Sequence, residues 1–296
     1  QTDKSEEQMI YDYSKQAVKE SLNALKIENH RMREGYVHKL LDYYNGNNTK
    51  YYIEGRFDLD AFREVPPYEA NITKKFINKM SRIYTVGADR NVNEKYDRIS
   101  VLKDSKMKHI ERMTRLIGTI ACRIMYVDDE MPHFDYQPIY YFHPFFGEDP
   151  FKPVAISYPL MNYTDDVSNS EICQYIHWND EVYIIFDENG RVLEEKPHGY
   201  GTLPFVFTHR EHQSDAFYVE GANDIMSANE HINITMTEMQ LGLRFQMFGQ
   251  PVVSGADLGN NQRFGSDVIL ELPDNANYNI LSPAGDINKV IENVKF

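Results

Sequence analysis

Residues 221–249 read GANDIMSANEHINITMTEMQLGLRFQMFG and hold the longest uninterrupted helical pattern in the sequence. Asn223 or Asp224 can cap its start, no proline interrupts it, and Gly249 ends it. Apolar residues recur at helical spacings along the stretch and therefore mark one helical face. These residues are Ile225, Ile232, Met236, Met239, Leu243 and Met247. The pattern predicts one continuous helix over residues 222–248, roughly 40 Å long at a rise of about 1.5 Å per residue.

The predicted helix is apolar over much of its girth, because Ile234, Leu241 and Phe248 lie beside the main face. A lone subunit would then expose a hydrophobic strip, which favours packing against further copies of the same helix. Replacing both Met239 and Phe245 by Asp is expected to reduce oligomer formation. The residues predicted at the contact between subunits are Ile232, Met236, Met239, Leu243 and Phe245.

Arg244 is the one basic residue of the predicted helix, whereas Asp224, Glu230 and Glu238 are acidic. In a ring of subunits, one arginine per chain becomes a ring of positive charge that faces a channel. The other interpretation of Arg244 is a salt bridge within its own subunit. The sequence leaves both interpretations open.

The rest of the chain is predicted to place helices first and a mostly antiparallel sheet after them, which favours an α+β fold over a doubly wound sheet. Helices are predicted at residues 5–26, 33–44, 68–84 and 99–117. Strands are predicted at residues 120–127, 139–142, 154–158, 172–177, 182–186, 192–193 and 205–207. After the long helix come predicted strands at residues 251–254, 268–272 and 278–281, and a second helix that begins at residue 286. Between two of the strands, Asp187-Glu188-Asn189-Gly190 is typical of a hairpin turn.

The composition describes an acidic, folded chain. Its 296 residues are 42% hydrophobic and 13% aromatic, which argues against disorder. Lys and Arg number 31 against 45 Asp and Glu, so the formal net charge is −14. A protein that holds nucleic acid or an anionic membrane through a large surface is usually basic. We therefore expect weak binding to duplex DNA without sequence preference. Separately, no apolar run in the sequence approaches the length of a membrane span.

The residues that could carry chemistry fit ordinary structural roles. The two cysteines, Cys122 and Cys173, form no CxxC or Cys/His cluster and are expected to be free thiols. His209 and His212 have an H-x-x-H spacing, but they fall in a predicted loop and lack the glutamate of a zinc protease. Clusters of carboxylates, such as residues 128–130 and 165–166, lie at predicted turns. Neither a P-loop nor a dinucleotide-binding loop is present, so the sequence predicts no catalytic residue, no metal and no cofactor.

An ordered set of short segments resembles the central part of tailed-bacteriophage portal proteins. The set consists of GTLPFVF at residues 201–207, NDI at 223–225, HIN at 231–233 and QPVVSG at 250–255. The segment LLDYYNG at residues 40–46 also resembles the YYxG segment near the start of many portal proteins. Weaker similarity runs over most of the chain.

The resemblance implies a division of the chain into the parts of a portal subunit. Residues 1–220 correspond to the α+β wing, residues 221–248 to the stem helix and residues 249–285 to the small, strand-containing clip. Residues 286–296 correspond to the start of a second stem helix. Portal chains normally continue well beyond this point, so the rest of that helix and a further C-terminal region are expected beyond residue 296.

The same resemblance implies the function of a portal, or head–tail connector. It implies a homo-oligomeric ring, commonly a dodecamer, at one capsid vertex of the virion, assembled in the host cytoplasm. The ring passes double-stranded DNA during packaging and ejection without sequence-specific binding. Its expected partners are the terminase, head–tail adaptor proteins, the major capsid protein and the scaffold protein. It is expected to have no membrane partner and no enzymatic activity.

Two other classes of function stay open on the sequence. One is a different structural component of a virion. The other is a hydrolase whose site is assembled from the scattered His and Asp residues. The native oligomer separates them, since a ring with a hole of duplex width favours the portal and a monomer with a deep cleft favours the enzyme.

Overall fold

The computed structural model describes residues 3–47, 49–56, 66–86, 89, 91, 93–94, 103–128, 132–160, 174–213, 215–248, 250–254 and 277–281. These residues combine helices with antiparallel sheets in an α+β fold. The helices are α1 (Asp3–Lys26), α2 (Glu28–Asn45), α3 (Thr49–Glu54), α4 (Ile72–Met80), α5 (Lys103–Ile117) and α6 (Asn223–Phe248). The strands are β1 (Thr119–Val127), β2 (His133–Ile139), β3 (His143–Phe146), β4 (Pro153–Leu160), β5 (Gln174–Trp178), β6 (Val182–Phe186), β7 (Val192–Pro197), β8 (Phe205–His209), β9 (Gln250–Ser254) and β10 (Asn277–Leu281).

The chain divides into two compact units. The first unit comprises Gln1–Gly46 and Ile72–Met226, and the second comprises Asn47–Asn71 and Ser227–Phe296. The first unit thus contains α1, α2, α4, α5 and strands β1 to β8. The second unit contains α3, nearly all of α6, and the antiparallel pair β9–β10.

The first unit is built on two antiparallel sheets, one with strand order β3-β4-β5-β6-β7 and one with order β2-β1-β8. Their apolar residues share one core around Phe142, Ile156 and Trp178, which also includes Phe205 and Phe217. A second cluster joins α1 to the five-stranded sheet. It consists of Ala17, Val18, Ile184 and Phe186.

The hairpin between β6 and β7 turns as the sequence predicts. Gly190 adopts a left-handed φ of 82°, which residues other than glycine disfavour. One carboxylate oxygen of Asp187 accepts hydrogen bonds from the backbone N–H of Asn189 at 2.9 Å and of Arg191 at 2.8 Å. These bonds fix the turn and with it the position of β7 beside β6.

Two glycines allow the chain to cross itself closely just before α6. Gly118 has a φ of 95°, and a Cβ placed on it would lie 2.1 Å from the carbonyl oxygen of Val219. A Cβ on Gly221 would lie 2.3 Å from the carbonyl oxygen of Leu116. In the same crossing the Ala222 N–H donates to Leu116 O at 2.8 Å. This contact fixes where α6 begins relative to the end of α5.

The structure confirms the long helix as one element, Asn223–Phe248, with no break at Gly242. It also confirms the predicted helices at residues 5–26 and 33–44, the second of which begins five residues earlier, at Glu28. The fourth predicted helix corresponds to α5, although residues 99–102 lie outside the described ranges. As predicted, α1 and α5 pack against the strands.

The prediction of one helix over residues 68–84 is wrong at both ends, since α4 spans only Ile72–Met80. Before it, the N–H groups of Tyr68 and Ala70 donate to side chains of α6, so they are held outside a helix. After it, the N–H groups of Ile83 and Tyr84 donate to the carboxylate of Glu111 at 3.2 and 3.4 Å. Tertiary hydrogen bonds therefore override the helical pattern at both ends.

The predicted strand over residues 139–142 is wrong beyond Ile139, which ends β2, because residues 140–142 connect β2 to β3. Phe142 is buried there as a core residue, and its carbonyl accepts a hydrogen bond from the Tyr218 hydroxyl. The sequence analysis missed β2 itself, which contains Pro138 and lies at the edge of its sheet, where proline is tolerated. The predictions for residues 165–166, 268–272 and 286–296 lie outside the described residues.

A candidate oligomer interface on the long helix

Within the second unit, one stripe of α6 is buried although it is mostly polar. Asn229 and Asn233 are each 1% exposed and Thr237 is fully buried. These three residues are four positions apart, so they lie above one another on one helical face. We call Asn229, Asn233 and Thr237 the polar stripe. Leu241 and Glu230, which are also buried, border it.

The polar stripe binds the extended backbone that precedes α4. The Ala70 N–H donates to Asn233 Oδ1 at 3.0 Å, and Asn233 Nδ2 donates to Ala70 O at 3.4 Å. The Tyr68 N–H donates to Thr237 Oγ1 at 2.9 Å, while the Thr237 hydroxyl donates to Asn233 O at 2.7 Å. Backbone groups outside regular structure need partners when they are buried. These side chains supply them, so the polar stripe is an internal contact of one chain.

A weaker contact borders the same stripe. Arg56, just after α3, places its Nη2 atom 3.9 Å from Glu230 Oε1, with the arginine side chain largely exposed. Because the arginine is in solvent and the distance is long, the pair contributes about 1 kcal/mol or less. Ile53 in α3 is fully buried and adds apolar packing to the unit.

A second stripe of α6 is apolar and only partly covered by the described residues. Ile232, Met236 and Met239 are half-buried, and Leu243 is 39% exposed. Successive helical residues are about 100° apart around the axis, so these four fall within about 60° of one another. We call Ile232, Met236, Met239 and Leu243 the apolar stripe. Its centre lies about 90° from that of the polar stripe.

The remaining side of α6 is the solvent face. Ser227, His231 and Glu238 are exposed and lie within about 40° of one another on this side. The helix therefore presents three different sectors. Its own chain covers the polar stripe, water covers the solvent face, and the apolar stripe is the sector with the chemistry to contact another apolar surface.

Four of the five residues predicted at the subunit contact thus share one face of α6. For the fifth, Phe245, and for Arg244, the backbone belongs to α6 but the side chain lies outside the described residues. The interface role of Phe245 and both interpretations of Arg244 stay predictions. The sequence analysis missed the polar stripe, although three polar residues spaced four apart were a signal for a second, buried face.

A buried Ser–His cluster in the first unit bears on the hydrolase alternative. Ser157 Oγ lies 2.9 Å from His177 Nδ1, and Ser21 Oγ on α1 lies 2.8 Å from Ser157 Oγ and 3.1 Å from the same nitrogen. Burial lowers the pKa of His177 to about 4, so its ring is neutral near pH 7. All three side chains are buried between α1 and the sheet. In this arrangement they join a helix to a sheet and offer no surface to a substrate.

Two pockets in the first unit have volumes of about 330 and 380 Å³. The smaller pocket is polar and is lined by residues that include Lys26, His30, Arg31 and Glu188. Within the described ranges, no group of three or more His, Cys, Asp or Glu side chains is arranged to hold a metal ion. None of the helices in that part of the chain is both long and apolar enough to cross a membrane.

A scan against protein-family models gives no match for this chain, and a search of curated proteins gives none either.

Proposed function

We propose that this chain is a subunit of a portal ring, the conduit at one capsid vertex of a tailed bacteriophage. The observation that carries the proposal is the division of α6 into sectors. The polar stripe of α6 bonds to the backbone of its own chain, and the adjacent apolar stripe is partly uncovered. A long helix with these two sectors is suited to side-by-side packing with identical helices. Phe245 lies about 150° around the helix from the centre of this stripe, so its proposed interface role requires a contact with a second neighbouring surface.

The order of the elements supports the same proposal. The segment GTLPFVF ends in β8, a loop follows, and α6 comes next. Immediately after α6, QPVVS forms β9, which pairs with β10 in antiparallel fashion. Strand, long helix and a small strand pair follow one another in the order that the resemblance to portal proteins implies for wing, stem and clip.

In the proposed ring, the apolar stripe of each subunit packs on its neighbour. The acidic residues of the chain then line or surround the channel, so duplex DNA is repelled and passes without being held. The terminase, head–tail adaptors, and capsid and scaffold proteins are the proposed partners, and the virion is the proposed location. A different multimeric virion component remains the alternative.

The proposal is tested by imaging the purified full-length protein by electron microscopy and measuring its mass under native conditions. We expect closed rings with a central hole wide enough for a DNA duplex, and a mass that is an integral multiple of the subunit mass. Open filaments or layers would favour another virion component. A monomer with a substrate cleft would contradict the portal proposal and revive the hydrolase.

A further inference from the structure

A basic patch of this acidic protein lies on α4 and the turn after it. Residues 72–86 contain four basic residues and no acidic residue, a net charge of +4 in a chain whose total is −14. The same segment exposes large apolar side chains, with Ile83 69% and Val86 79% exposed. We define the basic surface as Lys75, Phe76, Lys79, Met80, Ile83 and Val86, all of which are exposed.

Contacts beneath the basic surface hold it in place. The opposite side of α4 is buried through Thr73 and Ile77. The Tyr44 hydroxyl on α2 donates to Asn78 Oδ1 at 2.9 Å. Beyond the helix, the buried carboxylate of Glu111 accepts the N–H groups of Ile83 and its neighbour, so the turn is fixed with the Ile83 side chain outward. The exposed apolar residues are thus presented by an anchored element, which is what a docking surface requires.

The complementary patch is the free edge of the five-stranded sheet. Residues 180–196 contain six acidic and two basic residues, a net charge of −4. They include β7, the last strand in the sheet order, which is exposed along nearly its whole length. One of the two basic residues, Lys196, is already paired, with its Nζ atom 2.6 Å from Glu194 Oε1.

Apolar side chains are exposed on this edge as well. Val192 and Leu193 are both exposed on β7, and the exposed side chains of Glu188 and Glu195 flank them. One carboxylate oxygen of Glu195 also accepts a hydrogen bond from the Ser14 hydroxyl of α1 at 2.8 Å. We define the acidic edge as Glu188, Val192, Leu193, Glu194 and Glu195. Charged residues on an edge strand discourage pairing with any other strand. The glutamates of β7 still allow a partner of opposite charge to approach.

We propose that the basic surface of one copy of this chain docks on the acidic edge of a second copy. The segments that carry the two patches have net charges of +4 and −4, and each patch places exposed apolar residues among its charges. That arrangement, apolar contact within a charged rim, is the ordinary anatomy of a specific protein interface. The inference rests on the proposed function in one respect, which is that the second copy is the neighbouring subunit of the ring.

Docking between two different patches is compatible with a ring of subunits. A contact between unlike surfaces is heterologous, and heterologous contacts repeated with rotation close into rings. The docking would add a contact between the first units of neighbouring subunits to the contact proposed between their long helices. It also gives the neighbours a fixed direction, since each subunit receives its neighbour on one patch and offers the other patch onward.

Charge reversal tests the docking. One variant carries Lys75→Glu and Lys79→Glu, and the other carries Glu188→Lys and Glu195→Lys. In sedimentation velocity at low salt, each variant alone should associate roughly tenfold more weakly than the wild type, because like charges then face one another. An equimolar mixture of the two variants should regain association, because each contact between unlike variants again joins opposite charges.

Matched controls carry the same changes of charge elsewhere on exposed positions of the first unit. Lys19→Glu with Lys152→Glu, and Glu148→Lys with Glu211→Lys, should associate like the wild type. Circular dichroism should show that all variants are folded. Reversed variants that assemble normally, or a mixture that fails to recover, would show the inference to be wrong.

The outcomes separate this inference from the proposed function. Closed rings that are indifferent to both reversals would contradict the docking and leave the portal proposal standing. Association that responds to the reversals without forming a closed ring would support the docking and contradict the portal proposal. If the Lys75/Lys79 reversal changes only the binding of a short DNA duplex, the basic surface serves nucleic acid and the inference is wrong.

Discussion

Two helices of this protein, α1 in the first unit and α6 in the second, bury polar residues in opposite ways. On α1, Ser21 is buried beside Ala17 and Val18, and the apolar residues of the helix pack against its own sheet. On α6, the polar stripe is the part that its own chain covers, while the apolar stripe is left partly uncovered. A helix whose apolar side is already covered is complete within one chain. The proposed packing of α6 against a neighbouring subunit would account for this difference.

The largest expected effect concerns the crossing that leads into α6. A methyl group at position 221 would collide with backbone atoms of Leu116, which cannot move aside as a flexible side chain would. Gly221→Ala should therefore lower the free energy of unfolding by about 3 kcal/mol or more. Urea unfolding followed by circular dichroism measures it. Gly35→Ala is the control, since nothing lies within 4 Å of its added Cβ, and it should be neutral or slightly stabilising.

The next effect compares the buried polar residues of the two helices directly. Asn233→Ala leaves both backbone groups of Ala70 without their partner, which should cost about 2–3 kcal/mol in unfolding free energy. Ser21→Ala should cost less, about 1 kcal/mol, because Ser157 and His177 still bond to each other. The exposed His231→Ala is the control. If the loss is larger for Ser21→Ala, the polar stripe is not the internal contact described here.

The smallest effect is a dependence on pH that arises from α1 and its sheet. Burial lowers the pKa of His177 from 6.5 to about 4, so the unfolded chain binds its proton more readily than the native protein does. Stability from this group is therefore present above pH 6.5 and lost as pH falls toward 4. Between pH 7 and pH 5 the loss amounts to about 2 kcal/mol.

The measurement is denaturant unfolding at both pH values for the wild type and for His177→Gln. Between pH 7 and pH 5, the unfolding free energy of the variant should fall by about 2 kcal/mol less than that of the wild type. His231→Gln, on the exposed side of α6, is the control and should behave like the wild type. His30, whose pKa burial also lowers to about 4, adds a second contribution of the same sign that His177→Gln leaves in place. An unchanged pH dependence in His177→Gln would contradict the assignment.

The helices and strands that could be predicted from the sequence are those whose local apolar spacing agrees with their tertiary contacts. The long helix is one such element, because its apolar spacing continues for many turns without a proline. The end of α4 and the connection through Phe142 could not be predicted from local sequence. The Glu111 carboxylate accepts the Ile83 N–H, and the Tyr218 hydroxyl donates to the Phe142 carbonyl, so residues distant in the chain fix both segments. Local periodicity does not contain these contacts.

Of the candidate interface, the sequence predicted which residues share a face of α6 but not which face its own chain covers. Helical spacing placed Ile232, Met236, Met239 and Leu243 on one face, and the structure agrees. The same apolar character extends around the helix through Ile234 and Leu241, so it could not show which sector its own chain covers. That sector is marked by asparagine and threonine, whose partners are backbone groups that only the fold brings near.

The most direct test of the central claim is the mass in solution of a variant that changes only the apolar stripe. Met236→Asp with Met239→Asp should remain folded and sediment with the mass of a single subunit, because carboxylates cannot be buried in an apolar contact between helices. The control, Ser227→Asp with His231→Asp, also adds two carboxylates, on the solvent face of α6, and should assemble like the wild type. An assembled Met236→Asp/Met239→Asp variant, with the mass of the wild-type ring, would contradict the account.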